Sequence, residues 1–405
     1  MTELFQISNN LINHVSQDFK RFLYRQVDWN ARLVEINGAR GTGKTTLLLQ
    51  KAFELMRTDA DSVLYTTLED PFFYNNNLID LADEFRKLGG RYLFLDEVHR
   101  YPAKNPGSDW SAELKIIYDR YPGLKVYYTG SSLLRIYKGK GDLSRRKTTY
   151  NLPGLSFREY LYFTGVLDFN ALSLDDILKN NIKLTTEILN KTGVIIPHFR
   201  NYIKTGYFPY YLESQEHYLS RLKDVITVIL ENDIPSVSEI PFETVLKLKK
   251  LLGLIASGVP FTPNLTNLKK ELFIADQRTL LRYFSLLEKA ELIYNLRKES
   301  RENQLLRKPD KILPDNTNLT YCFNANPDTG TLREIFLVRN LRVHHVVTVP
   351  AKGDFLVDGT YTFEAGGKNK TMKQIQHTEN AFLALDDIET GHGRTIPLWL
   401  FGFLY

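Results

Sequence analysis

The chain has 405 residues, long enough for roughly two to four domains with substantial cores. Apolar residues make up 43 % and charged residues 24 %, which excludes long-range disorder, and a net charge of +5 excludes a non-specific polycation. The lone cysteine, Cys322, excludes a disulfide framework and any multi-cysteine metal site.

No apolar run is long enough to span a bilayer, and the first 20 residues lack the apolar core of a signal peptide. A soluble, cytoplasmic protein with no membrane partner is expected.

In the first third, short apolar runs at 33–37, 63–67, 92–95 and 126–129 read as strands. Between them lie helix-period segments, such as Trp110, Leu114, Ile117 and Tyr121 on one face. Strands alternating with helices predict a parallel sheet covered on both sides. Pro153-Gly154 marks a break, and residues 156–240 read as helical.

A change of pattern follows at Phe242. Two leucine-rich turns end at Gly258-Val259-Pro260. Leu268, Leu272 and Ile274 precede a turn at Ala275-Asp276, and Leu280, Leu281, Phe284 and Leu287 form a further helix face before a strand at 292–294. This order predicts a helix-turn-helix with a wing. Strands are expected at 355–357, 361–364 and 398–404, and His344-His345 reads as part of a strand rather than a metal site.

Gly38-Ala39-Arg40-Gly41-Thr42-Gly43-Lys44-Thr45 satisfies the full G-x-x-x-x-G-K-[ST] pattern between a strand and a helix that opens with Thr46. Glycines allow backbone N–H groups to turn inward around phosphates, and the helix N-terminus adds partial positive charge. Lys44 is expected to reach the β- and γ-phosphates of ATP, and the Thr45 hydroxyl to ligate Mg²⁺.

The partner carboxylates are Asp96 and Glu97, at the end of the apolar run 92–95. Asp96 is assigned to the metal and Glu97 to polarising the attacking water. Thr129 and Ser131, ending the next strand, are the alternative contacts to the γ-phosphate or that water. Arg145 and Arg146 are candidates for an arginine finger, in cis or toward a second copy. They sit in a basic run with Arg135, Lys138, Lys140 and Lys147, which also fits a solvated loop.

Together, the glycine-rich loop, Leu95-Asp96-Glu97-Val98-His99-Arg100-Tyr101, Thr129-Gly130-Ser131-Ser132, Leu155-Ser156-Phe157-Arg158-Glu159-Tyr160, Lys308-Pro309-Asp310-Lys311 and Gly330-Thr331-Leu332-Arg333-Glu334 resemble a known group. It is the bacterial and archaeal AAA-type ATPases joined to a C-terminal domain of unknown function. The resemblance implies an α/β P-loop NTPase core, ATP binding and hydrolysis, a helical lid, a winged helix and a last domain similar to the restriction-endonuclease fold. The corresponding boundaries are 1–165, 166–241, 242–308 and 309–405. Nucleases of that last fold place an acid and an E-x-K pattern on adjacent strands. Here Asp354, Glu364 and Lys368 are the candidates, with Glu334 on a helix and the lysine four residues after the glutamate instead of two. A degenerate site is favoured over an active one.

Between Leu246 and Lys311 stand 14 basic and 7 acidic residues, so this segment carries more positive charge than the whole chain. The helix beginning Asp276-Gln277-Arg278-Thr279 places polar and basic residues where DNA-reading helices have them. Two functions stay open: an ATPase acting on DNA, and a nucleotide-dependent signalling switch that binds a protein partner. A homo-oligomer is compatible with both.

Overall fold

The computed structural model describes residues 2–102, 109–135, 141–238, 240–257, 262–299 and 308–405. The chain divides into two compact units, Met1–Pro153 and Gly154–Tyr405.

The first unit is built on five parallel strands: β1 (Leu33–Gly38), β2 (Val63–Thr67), β3 (Tyr92–Asp96), β4 (Lys125–Ser131) and β5 (Thr148–Asn151), in the spatial order β2-β3-β4-β1-β5. Its helices are α1 (Thr2–His14), α2 (Leu23–Gln26), α3 (Lys44–Met56), α4 (Phe72–Asn75), α5 (Leu78–Lys87) and α6 (Trp110–Arg120). β1 is buried along its whole length, as expected of a strand covered on both faces. Successive side chains alternate between two cores. Leu64, Leu93, Leu95, Val126 and Tyr128 pack with Leu81 and Phe85 of α5 and with Leu114 and Ile117 of α6. Val34, Ile36, Val63, Phe94 and Tyr127 pack with Ile12 of α1 and with Leu47, Leu48 and Ala52 of α3.

The second unit begins with α7 (Phe157–Phe163), where Ser156 and Glu159 form a reciprocal capping box. It continues through α8 (Leu174–Thr192), α9 (Ile196–Thr205), α10 (Tyr218–Val228) and α11 (Ile234–Ser238). Three further helices, α12 (Phe242–Ser257), α13 (Leu265–Glu271) and α14 (Gln277–Lys289), lead into the antiparallel pair β6 (Ile293–Leu296) and β7 (Lys311–Pro314). After α15 (Thr317–Phe323) and α16 (Thr329–Leu341) come β8 (Val347–Thr348), β9 (Phe355–Val357), β10 (Tyr361–Gly366), β11 (Ala381–Leu385) and β12 (Thr395–Pro397). These last strands form a mixed sheet in the order β12-β11-β10-β9-β8, with β10, β11 and β12 parallel and the β8–β9–β10 pairs antiparallel.

Several expectations change here. The division falls at Pro153 rather than at 165, and 166–241 is not a body of its own. Phe157, Phe199 and Tyr202 from α7 and α9 share one core with Phe336, Trp399 and Phe403. A boundary at 308/309 would separate β6 from β7, which are hydrogen-bonded partners.

The run 398–404 is a 3-10 helix over Leu398–Phe403, not a strand. All six of its residues are buried, so no alternation of burial existed to tell strand from helix. His344 lies in a turn after α16, and the ring of His345 sits 2.7 Å from Asp358. Gly258-Val259-Pro260, Lys138, Lys140, Arg301 and Arg307 lie outside the described residues.

Candidate functional site

The glycine-rich loop joins β1 to α3 and is held from both sides. At Gly38 an added Cβ would stand 2.3 Å from the Leu152 carbonyl oxygen, so only hydrogen fits. Gly43, at φ +91°, supplies the left-handed turn into α3. The Lys44 side chain is buried and curls over the loop, its Nζ donating to the carbonyls of Gly38 and Ala39, both at 2.9 Å. The Thr42 hydroxyl donates to the Ala39 carbonyl at 3.0 Å. Arg40 is half-buried, while Thr45 and Thr46 are exposed at the start of α3.

Asp96 ends β3, 4 % exposed, and accepts three hydroxyl hydrogen bonds. Thr45 donates to its Oδ2 at 2.6 Å and Tyr65 to the same oxygen at 2.9 Å, while Thr129 donates to Oδ1. Thr129 also accepts from the backbone N–H of Glu97 at 3.1 Å. Glu97 holds a left-handed backbone, φ +51°, and its carboxylate lies 3.3 Å from the buried ring of His99. Strand register explains the cluster: β2 and β4 flank β3 in parallel, so their carboxyl ends converge on Asp96.

Tyr65 is absent from the sequence expectations. Burial raises its phenol pKa far above the ordinary value, and the Asp96 charge raises it further, so it stays a donor. No local motif marks it; only the pairing of Tyr65 opposite Phe94 places it near Asp96.

Of the two alternatives ending β4, Thr129 is at the carboxylate. The Ser131 hydroxyl instead accepts from the N–H of Leu133 at 3.3 Å. Arg146 is bound to Asp119 on α6 through Nε at 2.9 Å and Nη2 at 3.0 Å, whereas Arg145 is exposed. Lys147 is not simply solvated: it pairs with Glu35, a carboxylate buried in β1 that also accepts from Thr149 at 2.8 Å.

In the second unit Lys368 is exposed, and the lysine on Glu364 is Lys370, whose Nζ is 2.5 Å from the carboxylate. Lys370 lies across Gly366, where an added Cβ would meet its Cβ at 2.6 Å. Asp354 accepts from the N–H of Ala365 at 2.8 Å, and Glu334 pairs with Lys311 at 2.5 Å. Among the described residues, no group of three His, Cys, Asp or Glu is arranged to hold a metal ion. The carboxylates Glu334 and Glu364 are each matched by an ammonium group.

The order of the five parallel strands, with a glycine-rich loop after β1 and a carboxylate after β3, defines a P-loop NTPase core. Residues 30–161 match the AAA domain family, and residues 196–314 match a domain of unknown function, DUF8612. The chain thus has a P-loop NTPase core that matches the AAA domain family, followed by a match to a domain of unknown function and a C-terminal mixed sheet.

It is similar to the uncharacterized protein MJ1637 of Methanocaldococcus jannaschii, 26 % identical over 421 residues, spanning 92 % of this chain and 87 % of that protein. Among solved structures it is similar to the Walker-type ATPase PABY2304 of Pyrococcus abyssi, with 14 % identity and a TM-score of 0.43, covering 77 % of this chain and 99 % of that one. It is also similar to the Orc1 protein of Aeropyrum pernix solved in complex with DNA, with 13 % identity and a TM-score of 0.31, covering 80 % and 92 % respectively. Among the described residues no helix is long and apolar enough to cross a membrane.

Proposed function

We propose that the protein binds ATP with Mg²⁺ and hydrolyses it slowly at the β1–α3 loop, using Lys44, Thr45, Asp96 and Glu97. The observation that carries this reading is the Thr45–Asp96 contact at 2.6 Å: one hydroxyl and one carboxylate side by side at the mouth of a glycine loop. Such an oxygen donor pair suits a small hard cation that retains several waters. Bound Mg²⁺ would supply charge neutralisation on the phosphates.

The chain's own groups do the rest. Loop N–H groups and Lys44 bind the phosphates, which requires Lys44 to exchange the carbonyls of Gly38 and Ala39 for phosphate oxygens. Thr129 fixes Asp96 and the backbone of Glu97 together, so the Glu97 carboxylate is positioned to take a proton from water. Arg145 is the arginine of its pair offered to a neighbouring copy, since Arg146 is engaged within the chain.

The output we assign to nucleic acid. α12, α13, α14 and the β6–β7 pair follow one another as in a winged helix, and the stretch from Leu246 to Lys311 carries more net positive charge than the whole chain. Nucleotide state would then alter how this block engages its target.

The test is ATP turnover of the purified protein, alone and with single- or double-stranded DNA at two salt concentrations. Stimulation that weakens with salt supports the proposal. Turnover unchanged by either DNA, with no salt-sensitive binding, leaves the reading in which the protein is a nucleotide switch for a protein partner. Sizing with and without a non-hydrolysable ATP analogue tests the neighbouring copy.

A further inference from the structure

Helix α13 ends in a closure that ordinarily uses glycine. The N–H of Leu272 donates to the carbonyl of Leu268 at 2.9 Å, and the N–H of Ile274 reaches back to Lys269 at 2.8 Å. Between them Phe273 takes a left-handed backbone, φ +51°. Glycine or asparagine is the usual occupant of this position, because a bulky side chain is strained there.

Burial does not repay the strain, since Phe273 is 84 % exposed, the highest value of any large apolar residue described. The turn is also fixed in place. From α12, Lys247 donates to the carbonyl of Phe273 at 3.3 Å and Lys250 to that of Glu271 at 2.8 Å. The result is an aromatic ring held out into solvent at the entrance to α14.

Its surroundings are charged rather than apolar. Lys270, Glu271, Ala275 and Asp276 beside it in the chain are all exposed, and the exposed apolar side chains of α12, Phe242 and Leu246, belong to a different helix. Lys247, Lys250, Lys269, Lys270 and Arg278 stand around the turn. Of the three nearby carboxylates, Glu243 is bound to Lys247 at 2.7 Å and Asp276 caps α14 through Thr279 at 2.9 Å, with Glu271 exposed.

We propose that Phe273 is a stacking platform for an unpaired nucleobase, with Lys269, Lys270 and Arg278 contacting the phosphates on either side. This rests on the nucleic-acid reading above and narrows it to single-stranded or locally opened strands, because a base inside a duplex has no free face to offer. Stacking of this kind tolerates any base, so sequence preference at this position is weak.

The experiment is fluorescence anisotropy of the full chain with a labelled single-stranded oligonucleotide of mixed sequence and with the matching duplex. Wild type is compared with Phe273→Asn, Phe273→Leu and Phe273→Trp, with melting temperatures measured alongside. Asparagine suits the left-handed turn, so Phe273→Asn should melt at or above the wild-type temperature and bind the single strand about tenfold more weakly. Phe273→Leu, which keeps apolar bulk without a π-face, should show the same loss, Phe273→Trp should retain affinity, and duplex affinity should move much less.

Wild-type binding that survives Phe273→Asn or Phe273→Leu overturns the platform and leaves the nucleic-acid reading standing, as does an equal loss on duplex and single strand. Failure of the wild type to bind either nucleic acid overturns the nucleic-acid reading itself, and the platform with it.

Discussion

Arg21 donates to the carbonyl of Thr42, inside the glycine-rich loop, at 2.5 Å, and its second Nη donates to the carbonyl of Pro153 at 2.7 Å. Arg21 is 5 % exposed and lies in the segment between α1 and α2, ahead of the AAA match that starts at residue 30. Holding the Thr42 carbonyl fixes the plane of the peptide between Thr42 and Gly43, directly ahead of Lys44. Arg21→Met removes the tie and strands two carbonyls. We expect a stability loss of about 2 to 3 kcal/mol by chemical denaturation. ATP affinity should fall on the order of tenfold in a nucleotide titration. Wild-type affinity in a folded variant would show that the loop needs no outside support.

Tyr65→Phe deletes one donor to Asp96 Oδ2 while keeping the ring, and Thr45 and Thr129 still serve the carboxylate. Stability should change by about 1 kcal/mol. The signature of a positioning role is a several-fold rise in the Mg²⁺ concentration needed for half-maximal turnover, with metal-free ATP binding unchanged. A variant that loses only stability would assign Tyr65 to packing alone.

Glu334 offers a pH test in the second unit. Burial raises its carboxyl pKa, Asp354 and Asp328 add to the rise, and Lys311 opposes it. Because the folded-state value lies above the unfolded one, its contribution is present at low pH and is lost as pH rises through the folded value. Unfolding measured at about pH 4 and about pH 7 should show Glu334→Gln gaining on wild type at the higher pH. A difference independent of pH would contradict the assignment.

What the sequence makes legible is what is encoded locally. The runs 33–37, 63–67, 92–95 and 126–129 agree with β1 to β4 to within two residues, since each is a buried strand bounded by turns. β5 has no such signal, because an edge strand spelled Thr148-Thr149-Tyr150-Asn151 is largely exposed and carries no apolar run.

The glycine loop, Asp96 and Glu97 are contiguous motifs and were legible. Tyr65 and Arg21 were not, since each reaches the site only through strand order or a contact across 21 residues of chain. The pattern suggests Glu364 with Lys368, whereas Lys370 is the partner, because the chain turns after Gly366 and brings the later lysine back over it. The shared core of α7, α9 and α16 likewise has no mark in a sequence read segment by segment.

The central claim is that Glu97 acts on water while Lys44, Thr45 and Asp96 hold the nucleotide. It is tested most directly by measuring ATP binding and single-turnover hydrolysis on Glu97→Gln, which keeps the size of the side chain and removes its basicity. We predict wild-type ATP affinity with hydrolysis slowed by a factor on the order of a hundred or more. Hydrolysis at the wild-type rate with ATP fully bound would contradict it.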